Sequence, residues 1–267
     1  MNSDCSDQVV LVTGGSSGLG RAIAVESARR GAKAVIINYS RSAADAEETA
    51  EAVRREGATP IVVKADVSDD AECQTLARAA GRFGRIDALF NNAGITKFAV
   101  NQAALDAVSA EDFLRVYQVN VVGAFQMVRA ARSLLESAPS PGAVVNTSSL
   151  AGTTGLGSSI PYAASKGALN TLTLSLARAL APKIRVNAIC PGYIDTRWFS
   201  RGMSDAENEV LKRGITTSTA LKVASTAEDI APSAVFLGSR SSRHITGEIL
   251  IVDAGLRLGV TPLRTTE

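Results

Sequence analysis

Metal ligands are scarce in this chain of 267 residues, which holds one histidine, His244, and three cysteines, Cys5, Cys73 and Cys190. The cysteines are far apart, odd in number and in no zinc-ligand spacing, so no metal site is expected. The same scatter speaks against a disulfide framework and fits a reducing, cytoplasmic compartment. Charge of one sign is also missing: 28 basic residues face 26 acidic ones, a formal net charge of +2, and the basic residues are dispersed. Such a balance carries no footprint for nucleic acid or an anionic membrane. No apolar run approaches the ~20 residues of a membrane span. The N-terminus, Met1-Asn2-Ser3-Asp4-Cys5-Ser6-Asp7-Gln8, is polar and has no basic region leading into an apolar stretch, so no signal peptide is expected. No linker, low-complexity segment or internal repeat divides the chain.

What the chain does have is glycine, 22 residues of it, and short β-branched runs alternating with longer alanine-rich helical patterns. Residues 9–13, 34–38, 61–64, 88–91, 143–147, 185–189 and 249–252 read as buried strands. Helical patterns lie at 18–30, 43–55, 70–83, 110–121 continuing to 136, 162–180 and 227–236. This alternation implies an α/β fold, a parallel sheet covered by helices on both faces. With 46% hydrophobic residues the length suits one large core, and a single domain over residues 1–267 is expected. Pro139-Ser140-Pro141-Gly142 reads as a turn before a strand. The segment 192–225 is long, polar and irregular, and such excursions beyond the carboxyl ends of strands tend to be lids over a site.

The first run, Val9-Val10-Leu11-Val12, leads directly into Thr13-Gly14-Gly15-Ser16-Ser17-Gly18-Leu19-Gly20 and then a helix. A turn so placed aims free backbone N–H groups and the positive end of a helix dipole at a pyrophosphate. Gly14 permits the tight turn, and Gly18 and Gly20 allow close approach of ligand and helix. The spacing is Gly-x-x-x-Gly-x-Gly rather than the commoner Gly-x-Gly-x-x-Gly. A purely structural glycine turn would look similar, and the preceding strand and following helix favour a dinucleotide.

Further on, Tyr162-Ala163-Ala164-Ser165-Lys166 sets a tyrosine and a lysine one turn apart on a helix face. A free phenol, with a pKa of about 10, exchanges protons inefficiently near neutrality. A lysine ammonium close by would favour the phenolate and pull that value down. An exposed helix face shows the same pair, so its meaning depends on what accompanies it.

Thr13-Gly14-x-x-x-Gly18-x-Gly20, Asn91-Asn92-Ala93-Gly94, Asn120, Asn146-Thr147-Ser148-Ser149, Tyr162-x-x-x-Lys166 and Pro191-Gly192 accompany it, in this order. Together they resemble the short-chain dehydrogenase/reductase family along essentially the whole chain. The resemblance implies a doubly wound Rossmann-type parallel sheet of about seven strands flanked by helices. It also implies a catalytic set of Asn120, Ser149, Tyr162 and Lys166. Tyr162 would give a proton to a ketone oxygen, and Ser149 would stabilise the charge on that oxygen. Lys166 would lower the Tyr162 pKa and hold the nicotinamide ribose, and Asn120 would support a water relay to the lysine. Ser148 is adjacent but directed to the other side of an extended chain. The cofactor site would comprise Gly14, Ser16, Ser17, Gly18, Leu19 and Gly20, then Tyr39, Ser40 and Arg41, then Asp66 and Val67, then Asn92, Ala93 and Gly94. Tyr162, Lys166, Pro191, Gly192, Ile194 and Thr196 would complete it.

An acid ending the second strand in this fold binds the ribose 2′-hydroxyl of NAD. Here the strand ends Asn38-Tyr39-Ser40-Arg41-Ser42, without an acid. Arg41 can pair with a 2′-phosphate, and Ser40 and Ser42 can donate to it, so NADPH/NADP is expected in preference to NADH/NAD. Ser17 departs from the basic residue that many NADP-using relatives carry in the glycine loop. Arg41 as a plain solvated residue is the competing reading.

The Asn38-Tyr39-Ser40-Arg41-Ser42 stretch is nearest to the 3-oxoacyl-carrier-protein reductases, while the lid differs. Trp198, Phe199 and Met203, mixed with Arg197, Arg201, Lys212 and Arg213, suggest that the small-molecule carbonyl or alcohol substrate is a hydrophobic or extended ketone rather than a free sugar, or simply that the lid is anchored. The expected activity is reduction of a ketone to a secondary alcohol, possible on a 3-oxoacyl thioester. An NAD-linked alcohol, steroid or polyol dehydrogenase is the alternative, and a dinucleotide-sensing regulator without turnover a more distant one. Asp195 is read as a cap or solvated carboxylate, and His244 as a loop residue. The resemblance further implies a homotetramer, for which the small-residue face Ala163, Ala164, Gly167, Ala168 and Thr171 is suited; packing within one subunit would suit it equally.

Overall fold

A computed structural model describes residues 4–99, 101–198, 202 and 204–259. Strands β1 (Val9–Val12), β2 (Ala34–Tyr39), β3 (Thr59–Lys64), β4 (Ala88–Asn91), β5 (Gly142–Thr147), β6 (Ile184–Pro191) and β7 (Ile249–Val252) form one sheet. Its order is β3-β2-β1-β4-β5-β6-β7, and every pairing is parallel. The unbroken apolar strands have a direct cause. Val9 and Leu11 enter one core cluster, whereas Val10 and Val12 enter the other. Alternate side chains of a strand point to opposite faces, so a strand covered on both sides cannot alternate with polar residues.

One face is covered by α1 (Gly18–Arg29), α2 (Ala43–Arg55) and α9 (Ala227–Gly238), which contribute Ile23, Val53 and Ile230 to the core. The other is covered by α3 (Asp70–Arg78), α5 (Ala124–Glu136) and α7 (Ile160–Leu180), through Leu76, Met127 and Leu176. The chain therefore winds both ways from β1, and the strand order reverses between β1 and β4. Ligands of open α/β sheets bind in the crevice beyond the carboxyl ends of the strands at such a reversal. The glycine turn after β1 and Asn92 after β4 flank it.

Several boundaries differ from expectation for identifiable reasons. β3 begins two residues early and includes Pro60, which an edge strand tolerates because one side of its backbone lacks a partner. α3 ends at Arg78, and a separate 3₁₀ turn follows at Gly81–Phe83. The long helix expected over 110–136 is α4 (Ala110–Tyr117) joined to α5 through a π-helical turn at Gln118–Gly123. A short α6 (Ala151–Thr154) precedes α7, which starts at Ile160 with Pro161 in its first turn, where a missing N–H costs nothing. The segment 192–225 is not irregular throughout: it holds α8 (Asp205–Ser218), opened by a capping box between Ser204 and Glu207. Phe199, Arg201 and Met203 of that segment lie outside the described residues. Among the described residues no helix is long and apolar enough to cross a membrane.

Candidate active site

The glycine turn is built by polar side chains from three strands. Thr13 Oγ1 accepts from the backbone N–H groups of Asn92 and Ala93, both at 3.0 Å, and donates to Phe90 O at 3.3 Å. Asn38 is buried at the end of β2; its Oδ1 accepts from Gly14 N at 3.0 Å and its Nδ2 donates to Ala65 O at 2.8 Å. Asn92 Nδ2 donates to the Thr13 and Gly14 carbonyls, each at 3.2 Å. Gly14 and Gly18 have φ of +60° and +53°, the left-handed region that a side chain disfavours. Gly20 leaves no room for a Cβ against the Gly14 carbonyl, so it serves the turn's own closure. Ser17 precedes α1 without capping it through its side chain, leaving first-turn N–H groups open to an anion. Ser16 is tied down by Thr49 Oγ1, which donates to its carbonyl at 3.1 Å. Leu19 turns its side chain into the core and offers only backbone. This cradle fits a pyrophosphate.

Around it the other expected cofactor residues occupy the carboxyl ends of neighbouring strands. Tyr39 is half-buried, and Ser40 and Arg41 are exposed. Among the described residues Arg41 makes no ion pair, while Ser42 caps α2 by accepting from Asp45 N at 3.2 Å. Asp66 is exposed and its Oδ1 accepts from Ser68 N and Oγ; it stands two strands away from the glycine turn. Val67 is buried, its carbonyl held by Gln126 Nε2 at 2.9 Å. Gly94 lies between two catalytic candidates: a Cβ there would sit 3.3 Å from Asn120 Oδ1 and 3.6 Å from Lys166 Nζ.

Those candidates converge. β5 delivers Ser148 and Ser149 beside α7. Ser148 is buried and donates to Lys166 O at 3.1 Å, so it faces away from the cleft as expected. Ser149 is half-buried; its Oγ accepts from Ala151 N at 3.1 Å and stands close enough to the Tyr162 phenol to favour its charged form. Lys166 Nζ is 5.6 Å from the centre of the Tyr162 ring and donates to Thr147 O at 2.7 Å. Asn120 stands in the π-helical turn, where its Oδ1 accepts from Ile95 N at 2.8 Å. Its Nδ2 donates to Ile95 O and to Ser165 Oγ, both at 3.0 Å. Widened turns of this kind often occur at functional sites because they redirect a side chain.

The electrostatics correct one expectation. Burial pushes the Tyr162 phenol up, to about 12, against the smaller opposing pull of the Ser149 hydrogen bond. Lys166 is itself pushed down, to about 8, by burial. The lysine therefore does not bring the phenol below its ordinary value in this cleft: low dielectric disfavours both charged forms, and Nζ is directed to Thr147 O rather than to the phenol oxygen. At neutral pH the phenol holds its proton and the ammonium holds its charge, the states needed to give a proton away.

The segment after β6 closes over this group. Leu150 N donates to Pro191 O at 2.8 Å, tying the residues after β5 to β6, and Gly192 N donates to Val252 O at 3.2 Å, locking β6 to β7. Ile194 bridges to Ser225, and Asp195 pairs with Lys212 at 2.5 Å rather than remaining solvated. A Cβ on Gly18 would lie 3.7 Å from Thr196 Cγ2, so the lid reaches the glycine turn. Trp198 lies with its ring centre 6.0 Å from that of Tyr162, tilted by 54°. Gly202 packs so tightly on the Phe98 ring that a Cβ there does not fit. Among the described residues no group of three His, Cys, Asp or Glu could hold a metal ion.

Sequence reasoning passed over Thr13 and Asn38, the two side chains that fix the turn. The available signal was a polar residue at the end of each otherwise apolar strand.

Comparison with known proteins agrees with this geometry. A family model described as Enoyl-(Acyl carrier protein) reductase matches residues 14–257. A ketoacyl reductase assigned to the granaticin polyketide synthase of Streptomyces violaceoruber is 38% identical, over 94% of this chain and 96% of its own length. The L-rhamnose 1-dehydrogenase (NAD(P)(+)) of Azotobacter vinelandii is 37% identical, over 94% and 96% respectively. A solved structure from Burkholderia xenovorans, assigned to the short-chain dehydrogenase/reductases, superposes with a TM-score of 0.86 at 43% identity, covering 95% of this chain and 99% of its own. The chain belongs to the short-chain dehydrogenase/reductase family and is an NAD(P)-dependent oxidoreductase.

Proposed function

We propose that the protein reduces a ketone to a secondary alcohol with NADPH, using Tyr162 as proton donor, Ser149 as the group that holds the carbonyl oxygen, and Lys166 and Asn120 as their support. The observation that carries this reading is the convergence of Ser149, Tyr162 and Lys166 beside the glycine turn, with the Tyr162 phenol held in its protonated form. The bound nicotinamide supplies the hydride. The chain's part is to hold the carbonyl oxygen against two hydroxyls and to move the Tyr162 proton onto it as charge develops there. Lys166 adds positive charge in a buried site and so favours the phenolate left behind.

NADPH is favoured because Arg41 has no acidic neighbour on the β2 end and no ion pair among the described residues. Residues 192–225 act as the substrate lid of a single domain. A hydrophobic or extended ketone fits, since Trp198 stands beside Tyr162 and the nearby hydroxyls of Thr96 and Ser158 satisfy each other at 2.6 Å. Polyol oxidation with NAD is the second reading, supported by the L-rhamnose 1-dehydrogenase likeness. A homotetramer follows from the family and is supported by apolar side chains left outside on α4, α5 and α7, among them Leu114, Phe125 and Leu174.

Tyr162→Phe tests the assignment. The variant should bind NADPH within twofold of wild type while kcat/KM for ketone reduction falls by about 10²–10⁴. Turnover at the wild-type rate would remove Tyr162 from the role of acid. Absence of turnover by the wild type on any ketone or alcohol, with tight dinucleotide binding, would point to a sensor instead.

A further inference from the structure

The lid carries a charged residue to the far end of the cleft. Arg197 pairs with Asp45 at 3.1 Å. Asp45 belongs to the first turn of α2, and its own N–H is held by Ser42 Oγ, the residue directly after Arg41. Arg197 therefore reaches the N-terminus of α2, which Arg41 precedes in the chain by one residue before the cap. That terminus also packs on the glycine turn through Thr49 and the Ser16 carbonyl. The other carboxylate on this side of α2, Glu48, pairs with Arg21 at 3.4 Å.

We infer that Arg197 is a second cation for the ribose 2′-phosphate, and that Asp45 is the carboxylate whose charge it masks. The inference rests on the NADPH reading. The Arg197 side chain is 73% exposed and its ion pair with Asp45 is correspondingly weak, so a more highly charged anion can displace the Asp45 carboxylate from it. A phosphate monoester carries nearly two negative charges and three acceptor oxygens against the single charge of Asp45, and a guanidinium binds it bidentately. The lid thereby contributes to cofactor choice as well as to substrate cover, and Asp45 sets the discrimination by opposing the 2′-phosphate whenever Arg197 is absent.

Calorimetric titration with adenosine 2′,5′-bisphosphate and with AMP reads this directly, without turnover. The ratio of the two affinities is compared in wild type, Arg197→Gln and Asp45→Asn. Arg197→Gln should lower the preference for the bisphosphate about three- to fivefold, the range of a solvent-exposed charge pair. Asp45→Asn should raise it by a similar factor, which a loss of folding could not do. A wild type that prefers AMP would overturn the NADPH reading and this role with it. A wild type that prefers the bisphosphate, combined with an unchanged ratio in Arg197→Gln or a lowered one in Asp45→Asn, would overturn the role of Arg197 alone.

Discussion

Asn38 is where folding and cofactor binding meet, and removing its side chain should damage both. Its amide is buried and makes two short bonds, accepting from Gly14 N at 3.0 Å and donating to Ala65 O at 2.8 Å, with weaker contacts to the Tyr39 and Val63 carbonyls. Asn38→Ala strands a donor and an acceptor in a dry site, each costing about 1–3 kcal/mol. Partial relief by entering water brings the sum to about 3 kcal/mol, or a fall in Tm of about 6–12 °C at the 2–4 °C per kcal/mol usual for chains of this size. Dinucleotide affinity should fall about tenfold, because the Gly14 turn loses its only side-chain anchor from β2. Asn38→Asp separates the two bonds. It keeps the acceptor for Gly14 but sets a carboxyl oxygen against the Ala65 carbonyl, so the carboxyl must stay protonated to donate. Its folded pKa then lies above the unfolded one, and the folded state binds more protons, so stability should fall as the pH rises from about 5 to 8. Thermal melts at several pH values with a parallel NADPH titration would read all three effects. An Asn38→Ala protein melting within 2 °C of wild type and binding NADPH within about twofold would refute the reasoning.

Gly20→Ala should be more severe for binding than for folding. The new methyl meets the Gly14 carbonyl and lies 2.5 Å from Asn92 Nδ2, so an overpacking cost of about 1–3 kcal/mol falls on the turn itself, and unchanged NADPH affinity would show that the turn has slack. The pH dependence follows from Tyr162 and the buried Lys166. Tyr162 keeps its proton to about 12 and Lys166 its charge only to about 8, so kcat/KM for reduction should fall as the pH rises through about 8. That limb should vanish in Lys166→Met, and its persistence there would assign it to another group. The sign for stability is opposite: a depressed lysine makes the folded state bind fewer protons, so Lys166 contributes increasing stability from about pH 8 upward.

The sheet was readable because its strands are buried on both faces, which leaves continuous apolar runs that no helix of this fold imitates. The catalytic residues were readable because Tyr162 and Lys166 share a helix and Ser149 ends the strand beside it. α8 was not readable by periodicity, since none of its described residues is buried; the Ser204/Glu207 capping box was the local signal. Thr13 and Asn38 escaped notice because their partners are up to 80 residues away in sequence and become neighbours only when parallel strands align. The direction of the Tyr162 pKa escaped for a related reason. Spacing shows that an ammonium is near, but not how far the fold withdraws both groups from solvent. The Lys212 partner of Asp195 likewise depends on α8, a helix without a buried face to mark it in the sequence.

The π-helical turn at Gln118–Gly123 has a consequence for how such a chain can change. It holds one residue more than an α-helix of the same rise, and each residue is worth about 100° of rotation about the axis. Met127, Val128, Ala131 and Leu135 of α5 face the core in the phase that this extra residue sets. Regularising the turn with every residue kept would swing that whole row toward solvent and carry Asn120 away from Ile95, whereas deleting one of its residues would keep the row in phase. The helix register thus ties the asparagine to the core. A descendant could exchange Asn120 for another side chain, but it could regularise the helix only by losing a residue of the turn or by rebuilding half of one face of the sheet.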